Sequence, residues 1–578
     1  MSRLISFASI LFIGLTTALA DSPAWVAKSN QNAQVLLEIM ARYSPESAGG
    51  YGVTGLDDRI LDLNPKSDER QARETKAAEK TLRARLQSET DPLVRQDLEI
   101  LIDAAQKNVR GYELNQKYYI PYFSVPRSIY YGIQSLLDDQ TAADRRPAAL
   151  VRLRRYTGME RGFTPVATLA ERRIREKLNK GGLLGPATAQ VEKDLSVTRY
   201  LVDGVGELFQ KYKIAGFEEP LAKLKEQMAA YDDFVRKEVL PKSRADFRLP
   251  RELYDFALVQ YGVDIPAAEL TSLAHAAFQQ IQSEMQTVAA QVAGEKKDYR
   301  DVIRDLKKKQ LVGDEILPHY RKRLEDIEAI IRRERLVTLP ARPARIALAS
   351  PAQTAQQPAP NMKPPRLIGN TGESGEFILP LNIPGPVGGK SGTQRYDDFT
   401  FEAASWTLTA HEARPGHEMQ FAAMVENGVS QTRGIFAFNS TNVEGWGLYS
   451  EYIMKPFMPV DGQLISLQHR LMRAARAYLD PELHAGKITP EQARRILLED
   501  VVLSEAMANQ EVERYTFRSP GQATSYFYGF TRLRKLREDV EQAMGAKFDA
   551  MKFHDFILTQ GLLPPALLRK AVFEGYAR

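Results

Sequence analysis

The chain contains no cysteine. That excludes a disulfide framework and a thiol nucleophile, so stability has to come from core burial. Histidine is nearly as scarce, with seven in 578 residues. An excess of one charge is missing as well: 78 basic against 73 acidic residues leave a formal +5, which gives no footprint for nucleic acid. Beyond the N-terminus no stretch approaches the roughly 18 uninterrupted apolar residues of a membrane span. What is present at the N-terminus is Met1-Ser2-Arg3, an apolar run from Leu4 to about Leu19, and Ala18-Leu19-Ala20 before the polar Asp21-Ser22-Pro23. This reads as a signal peptide over residues 1–20, with no cysteine to accept a lipid. The expectation is an exported protein, periplasmic or secreted, without stable membrane insertion after signal removal; a retained anchor is the alternative.

Residues 21–335 read as helix after helix. The apolar periodicity predicts Ala24–Arg42, Asp68–Gln87, Leu93–Asn108, Pro165–Asn179, Ala187–Tyr212, Glu219–Glu238, Ala267–Val292 and Ile316–Arg333, with their charges on solvated faces. Composition changes over 336–394, which is rich in Pro, Ala, Gln and Gly; the run Pro351 to Pro360 is expected not to form regular helix. Within it, Glu376-Phe377-Ile378-Leu379-Pro380-Leu381-Asn382 reads as a short strand, placed at an edge by Pro380. Such an edge could receive an extended peptide, or be a covered connector. Residues 395–578 are helical again and carry the chemistry. The fold expected is mainly α, with a small extended element near the site.

Two of the seven histidines bracket a glutamate and a Pro-Gly pair in His411-Glu412-Ala413-Arg414-Pro415-Gly416-His417, and Glu444 follows 27 residues after His417. Two imidazoles and a distant carboxylate form a zinc-type donor set, and a carboxylate beside the first imidazole can serve as base. The spacing is unusual. Six residues carry a side chain about 240° around an ideal helix, so an unbroken helix would not bring both rings to one metal. Pro415 removes an N–H and clashes with the carbonyl of residue 411, and Gly416 opens other backbone angles, so the segment must be irregular. It either returns His417 to the metal or is a helix end that happens to lie between two histidines. Glu444 has two readings too, because Thr441-Asn442-Val443-Glu444 also fits a capping box. Glu451 lies two turns after Glu444 on the same helical face.

These blocks, continued by Gln420, by Gly445-Trp446 with Tyr449 and Glu451, by His484-Ala485-Gly486-Lys487 with Thr489-Pro490-Glu491-Gln492-Ala493, by Arg514-Tyr515 with Pro520-Gly521-Gln522-Ala523 and Tyr526, and by Phe553-His554 with Gly561-Leu562-Leu563-Pro564, occur in an order that resembles the bacterial family called domain of unknown function 885. The resemblance is dense after His411 and looser before Ala267. It implies a zincin-like, multi-helix metallohydrolase, with a peptidase as the expected activity, without naming a substrate. Asp480-Pro481-Glu482-Leu483 departs from the family's glycine-containing approach to His484.

The expected site is therefore His411, His417 and Glu444 as ligands of one Zn²⁺, with Glu412 as the general base that passes a proton from water to the leaving amine. His484 and Tyr526 are the candidate oxyanion donors, with Tyr528 behind them; Arg514 and Gln522, again with Tyr528, are candidates for holding substrate. His275, His319, His469 and His554 read as ordinary surface or core residues. The expected partner is a peptide or small amide. A metal-dependent esterase or non-peptide amidase, and a metal-free envelope binding protein on a degenerate peptidase fold, are the competing readings.

Overall fold

The predicted helices of the first half form nearly where the apolar periodicity puts them: Ala24–Tyr43, Ser67–Ser88, Val166–Leu178, Thr188–Lys211, Ala267–Ala293 and Ile316–Glu334. Each carries one buried stripe, such as Leu270, Ala274, Phe278, Ile281, Met285 and Ala289 in Ala267–Ala293. The computed structural model describes residues 23–383 and 394–577, so the signal-peptide expectation for residues 1–20 and part of the proline-rich bridge lie outside the described residues. Pro92–Tyr118 runs ten residues past the predicted end, and Glu218–Phe234 passes into a π turn at Val235–Val239. The chain is mainly α-helical. No described helix is long and apolar enough to cross a membrane.

The bridge differs from expectation in two ways. Pro351–Gln356 is a short helix: Pro351 sits in its first turn, where no N–H is needed, and Ser350 and Gln353 form a capping box. Its Ala352 and Ala355 are buried in the core of the N-terminal helices beside Leu201 and Val205. The predicted strand does form as Glu376–Leu379 (β3), but as the centre of a three-stranded sheet, not its edge. It pairs in parallel with Arg345–Leu348 (β1) and antiparallel with Asn361–Lys363 (β2). Pro380 falls just past its end and so interrupts no ladder bond. The edge strand that borders the large cavity is β2, through Asn361 and Met362.

The C-terminal half is built around Val460–His484. This helix is buried along almost its whole length and packs against Ala267–Ala293, Glu402–Glu412 and Thr524–Met544. Asp480-Pro481-Glu482-Leu483 is its last turn, not a loop. The buried carboxylate of Asp97, on Pro92–Tyr118, ties the N-terminal helices to this half: it accepts from Ser29 Oγ (2.5 Å), Ser430 Oγ (2.6 Å) and Arg433 Nε (2.8 Å). Asp97 and Arg433 are 1% and 2% exposed, so Asp97→Ala leaves a buried guanidinium without its counter-charge. The expected cost is about 3–5 kcal/mol, read as a lower urea midpoint.

Candidate metal centre

Three helices carry the donors. Glu402–Glu412 ends immediately after His411, the Arg414–Pro415 peptide is cis, and a new helix opens at His417. Gly416 crosses so close to the end of the first helix that a Cβ there would overlap the His411 carbonyl. The Pro415 carbonyl accepts from Trp446 Nε1 (2.9 Å) and Ser450 Oγ (3.2 Å), both on Ser440–Met454. On the other side Arg414 donates to Glu418 (2.8 Å) and Glu328 (2.7 Å). The turn between the histidines is thus bolted to the helix that carries Glu444. That helix is capped by Asn439, which accepts from the Asn442 N–H, so Glu444 lies beyond its first turn and is free of the capping-box role.

His411, His417 and Glu444 converge, with one donor atom from each within 4.8 Å of the others. Glu444 Oε2 stands 3.5 Å from His411 Nε2 and 3.2 Å from His417 Nε2, and it has no hydrogen-bond partner among the described residues. A tetrahedral ion bound at about 2.0–2.1 Å would set neighbouring donors about 3.3–3.5 Å apart, so both distances from the carboxylate to the imidazoles suit a zinc-sized cation. The imidazoles meet edge to face at 81°, and Gly447 makes room for them: a Cβ there would lie 2.6 Å from His411 Cε1 and 2.9 Å from His417 Cε1.

Behind the ligands, His411 Nδ1 is 2.7 Å from Glu451 Oε1, and Glu451 also accepts from Thr407 Oγ1 (2.8 Å) and faces Arg473 Nη2 at 3.3 Å. Burial alone would raise the Glu451 carboxyl; Arg473 and His411 outweigh it and hold it at about 2. A carboxylate that fixes the far nitrogen of a histidine orients the ring and favours Nε2 as the metal donor. Glu451, Gly447 and Arg473 are not among the site residues expected from the sequence; for Gly447 and Glu451 the available signal is a glycine and an acid in phase with Glu444 on one helix, and Arg473, on Val460–His484, has none.

The centre opens into a cavity of about 730 Å³ that is also lined by Glu412, Tyr526, Arg514 and Gln522. Tyr526 lies nearly parallel to the His411 ring, 6.3 Å between centroids at 13°, and its hydroxyl bonds to none of the described residues. Its helix, Thr524–Met544, approaches so closely because Gly529 meets Gly445 backbone to backbone. Gln522 donates to Ser440 Oγ (3.0 Å).

Two expected residues are not brought to the cavity. Tyr528, two positions after Tyr526, faces away from it and donates to Asp264. His484 has both ring nitrogens committed: Nδ1 accepts from the Leu249 N–H (3.1 Å), and Nε2 lies 2.9 Å from the Tyr515 carbonyl. Burial pushes its pKa down to about 4, and that of His554, held between Tyr449 and Leu336, likewise to about 4. Both folded values lie below the unfolded value, so the unfolded chain takes up protons first as pH falls. Stability from these two rings is therefore complete above about pH 6.5 and lost down to about pH 4, at up to about 1.4 kcal/mol per pH unit each. Urea midpoints at pH 7.5 and 5 should show the fall, and His554→Gln should remove about half of the share that these two rings contribute. His275 is exposed beside Glu482, and His319 meets Ser405; neither belongs to a donor cluster among the described residues.

Two solved structures are similar in fold. One, titled "putative lipoprotein" from Colwellia psychrerythraea, matches with a TM-score of 0.77 and 20% identity over 94% of this chain and 98% of its own. Another, titled "a putative lipoprotein of unknown function" from Shewanella oneidensis, matches at 0.67 and 18% over 96% and 100%. No curated protein matches the sequence. A family model described as "Bacterial protein of unknown function (DUF885)" matches residues 45–572, and the chain belongs to that family.

Proposed function

We propose that the protein is a zinc-dependent hydrolase whose reaction is cleavage of a peptide bond. The observation that carries this reading is the approach of Glu444 Oε2 to His411 Nε2 and His417 Nε2 at 3.5 and 3.2 Å, close to a tetrahedral edge, beside a cavity that Glu412 and Tyr526 also line. Two imidazoles and one carboxylate suit zinc best among common divalent ions, with positions left for water and substrate. When bound, such an ion lowers the pKa of water and polarises a carbonyl.

The remaining steps fall to the chain. Glu412 follows His411 directly, so its carboxylate leaves the helix about 100° away from the ligand face. It takes the proton of the attacking water and returns it to the departing nitrogen. Tyr526 donates its hydroxyl proton in a hydrogen bond to the oxygen that gains charge. Glu451 and Thr407 keep the His411 ring in register. Gln522, anchored on Ser440, offers an amide to the substrate backbone.

Export supports a role outside the cytoplasm. It rests on the apolar N-terminal run and on the lipoprotein titles of the two structural relatives, although this chain has no cysteine to carry a thioether-linked lipid. The deciding experiment is elemental mass spectrometry of the purified protein beside a His411→Ala/His417→Ala double variant. About one zinc per chain, lost in the variant, is the expected result. A parent protein that stays metal-free after zinc loading and dialysis would favour the binding-protein reading.

A further inference from the structure

Three guanidinium groups surround the Tyr526 ring: Arg476 at 4.5 Å from its centroid, Arg514 at 5.7 Å and Arg473 at 5.9 Å. Two of them have counter-charges. Arg476 makes a two-pronged pair with Glu511 (2.6 and 2.7 Å), and Arg473 faces Glu451. Arg514 is different. Glu511, already committed to Arg476 and to the Tyr515 hydroxyl, is 3.7 Å from it, and no N–H of the Arg514 guanidinium forms a hydrogen bond with the described residues. The side chain is only 15% exposed, and the exposure that remains is to the cavity.

One helical turn on, Arg518 repeats the pattern. It lines the same cavity, makes no hydrogen bond with the described residues, and shares its nearest carboxylate, Glu513 at 3.3 Å, with Lys193 at 3.0 Å. Nearby, Arg127 is matched by Asp194 at 3.0 Å, whose charge is also felt by Arg518. The wall next to the metal centre therefore holds two largely buried guanidinium groups whose donors are unused. Burying a charge without full compensation is unfavourable, so such a wall is suited to an anion supplied from outside. A guanidinium fork is matched to a carboxylate by geometry as well as charge.

Position narrows the anion. The Arg514 guanidinium is 5.7 Å from the Tyr526 ring, which is 6.3 Å from the His411 ring, so it lies no more than about 12 Å from the ligand set. An extended chain advances about 3.3–3.6 Å per residue, so a carboxylate on Arg514 belongs at most about three residues beyond the carbonyl under attack. We infer that the cavity receives peptides by their free C-terminal carboxylate, anchored on Arg514 with Arg518 beside it, so that cleavage falls within the last few residues of the chain. This specificity rests on the peptidase reading, while the anchor itself is a binding property and is tested as one.

The test uses zinc-loaded full-length protein and matched tetrapeptides that end in either a free acid or a carboxamide. Hydrolysis is followed in the parent protein, and binding by calorimetry in Glu412→Gln. The expected preference for the acid is about tenfold to a hundredfold in both kcat/KM and Kd, as for loss of a charge-assisted hydrogen-bond pair. It should collapse towards unity in Arg514→Gln and survive in part in Arg514→Lys. Equal cleavage of acid and amide, or a preference that persists in Arg514→Gln, overturns the anchor and leaves the peptidase reading standing. Preferential binding of the acid that depends on Arg514, with neither peptide cleaved, leaves the anchor standing and removes the peptidase. Absence of both binding and cleavage removes both. The acid-to-amide comparison in the parent protein holds even where an arginine variant fails to fold.

Discussion

Replacing Glu412 by Gln is expected to lower peptide turnover by about two to four orders of magnitude while zinc content stays at the parental level. The carboxamide keeps the size and shape of the side chain, so the end of the first histidine helix should pack as before. What it loses is the ability to accept a proton. Glu412 is 7% exposed, borders the cavity together with His417, Glu444 and Tyr526, and is not one of the three converging donors. That arrangement separates proton transfer from metal holding. Steady-state rates on a mixed tetrapeptide library, with elemental analysis of the same preparations, give both readouts. Parental turnover in the variant would take Glu412 out of the reaction; loss of zinc would make it a ligand.

Gly447→Ala is expected to do the opposite of what the same change does in most helices. In an exposed helix interior the substitution adds about 1 kcal/mol of stability. Position 447 lies inside Ser440–Met454, between Glu444 and Glu451, where the new methyl would press on both imidazoles. The rings have nowhere to go, since Glu451 holds His411 from behind and the bolted turn holds His417. The expected outcome is a zinc affinity at least about tenfold weaker, as for damage to the groups that orient metal ligands, with activity falling in parallel. Gly49→Ala, where a Cβ meets nothing within 4 Å, is the control and should keep its zinc. A Gly447→Ala protein with parental zinc affinity would mean that the rings can shift without consequence.

Much of the fold could be read from the chain because long amphipathic helices write their period directly into the sequence, as the ends of Ala267–Ala293 and Ile316–Glu334 show. The three converging donors were also visible, because scarce histidines next to a Pro-Gly break leave few alternatives. What could not be read was helix phase at the far side of the cavity. Tyr526 and Tyr528 differ by two positions, or about 200°, so only one can face the site, and the choice depends on the contact between Gly445 and Gly529. His484 was misleading for a similar reason. A histidine near a helix end can address solvent, substrate or backbone, and here Leu249 and Tyr515, remote in sequence, claim both nitrogens. The strand Glu376–Leu379 was recognised as a strand but given the wrong place in its sheet, because β2 is only three residues long and hides within proline-rich sequence.

The meeting of Gly445 and Gly529 also bears on motion. Where two helices touch through bare backbone there are no side-chain rotamers between them to rearrange, so relative sliding has no intermediate states to pass through. Glu444 and Tyr526, a turn or less from that contact on either side, therefore belong to one rigid unit. Breathing of the cavity then falls to lining elements that do not carry the donors, such as β2 and the N-terminal helices. In amide exchange the segment around Gly445 and the one around Gly529 should open together and only with the core, while β2 exchanges sooner.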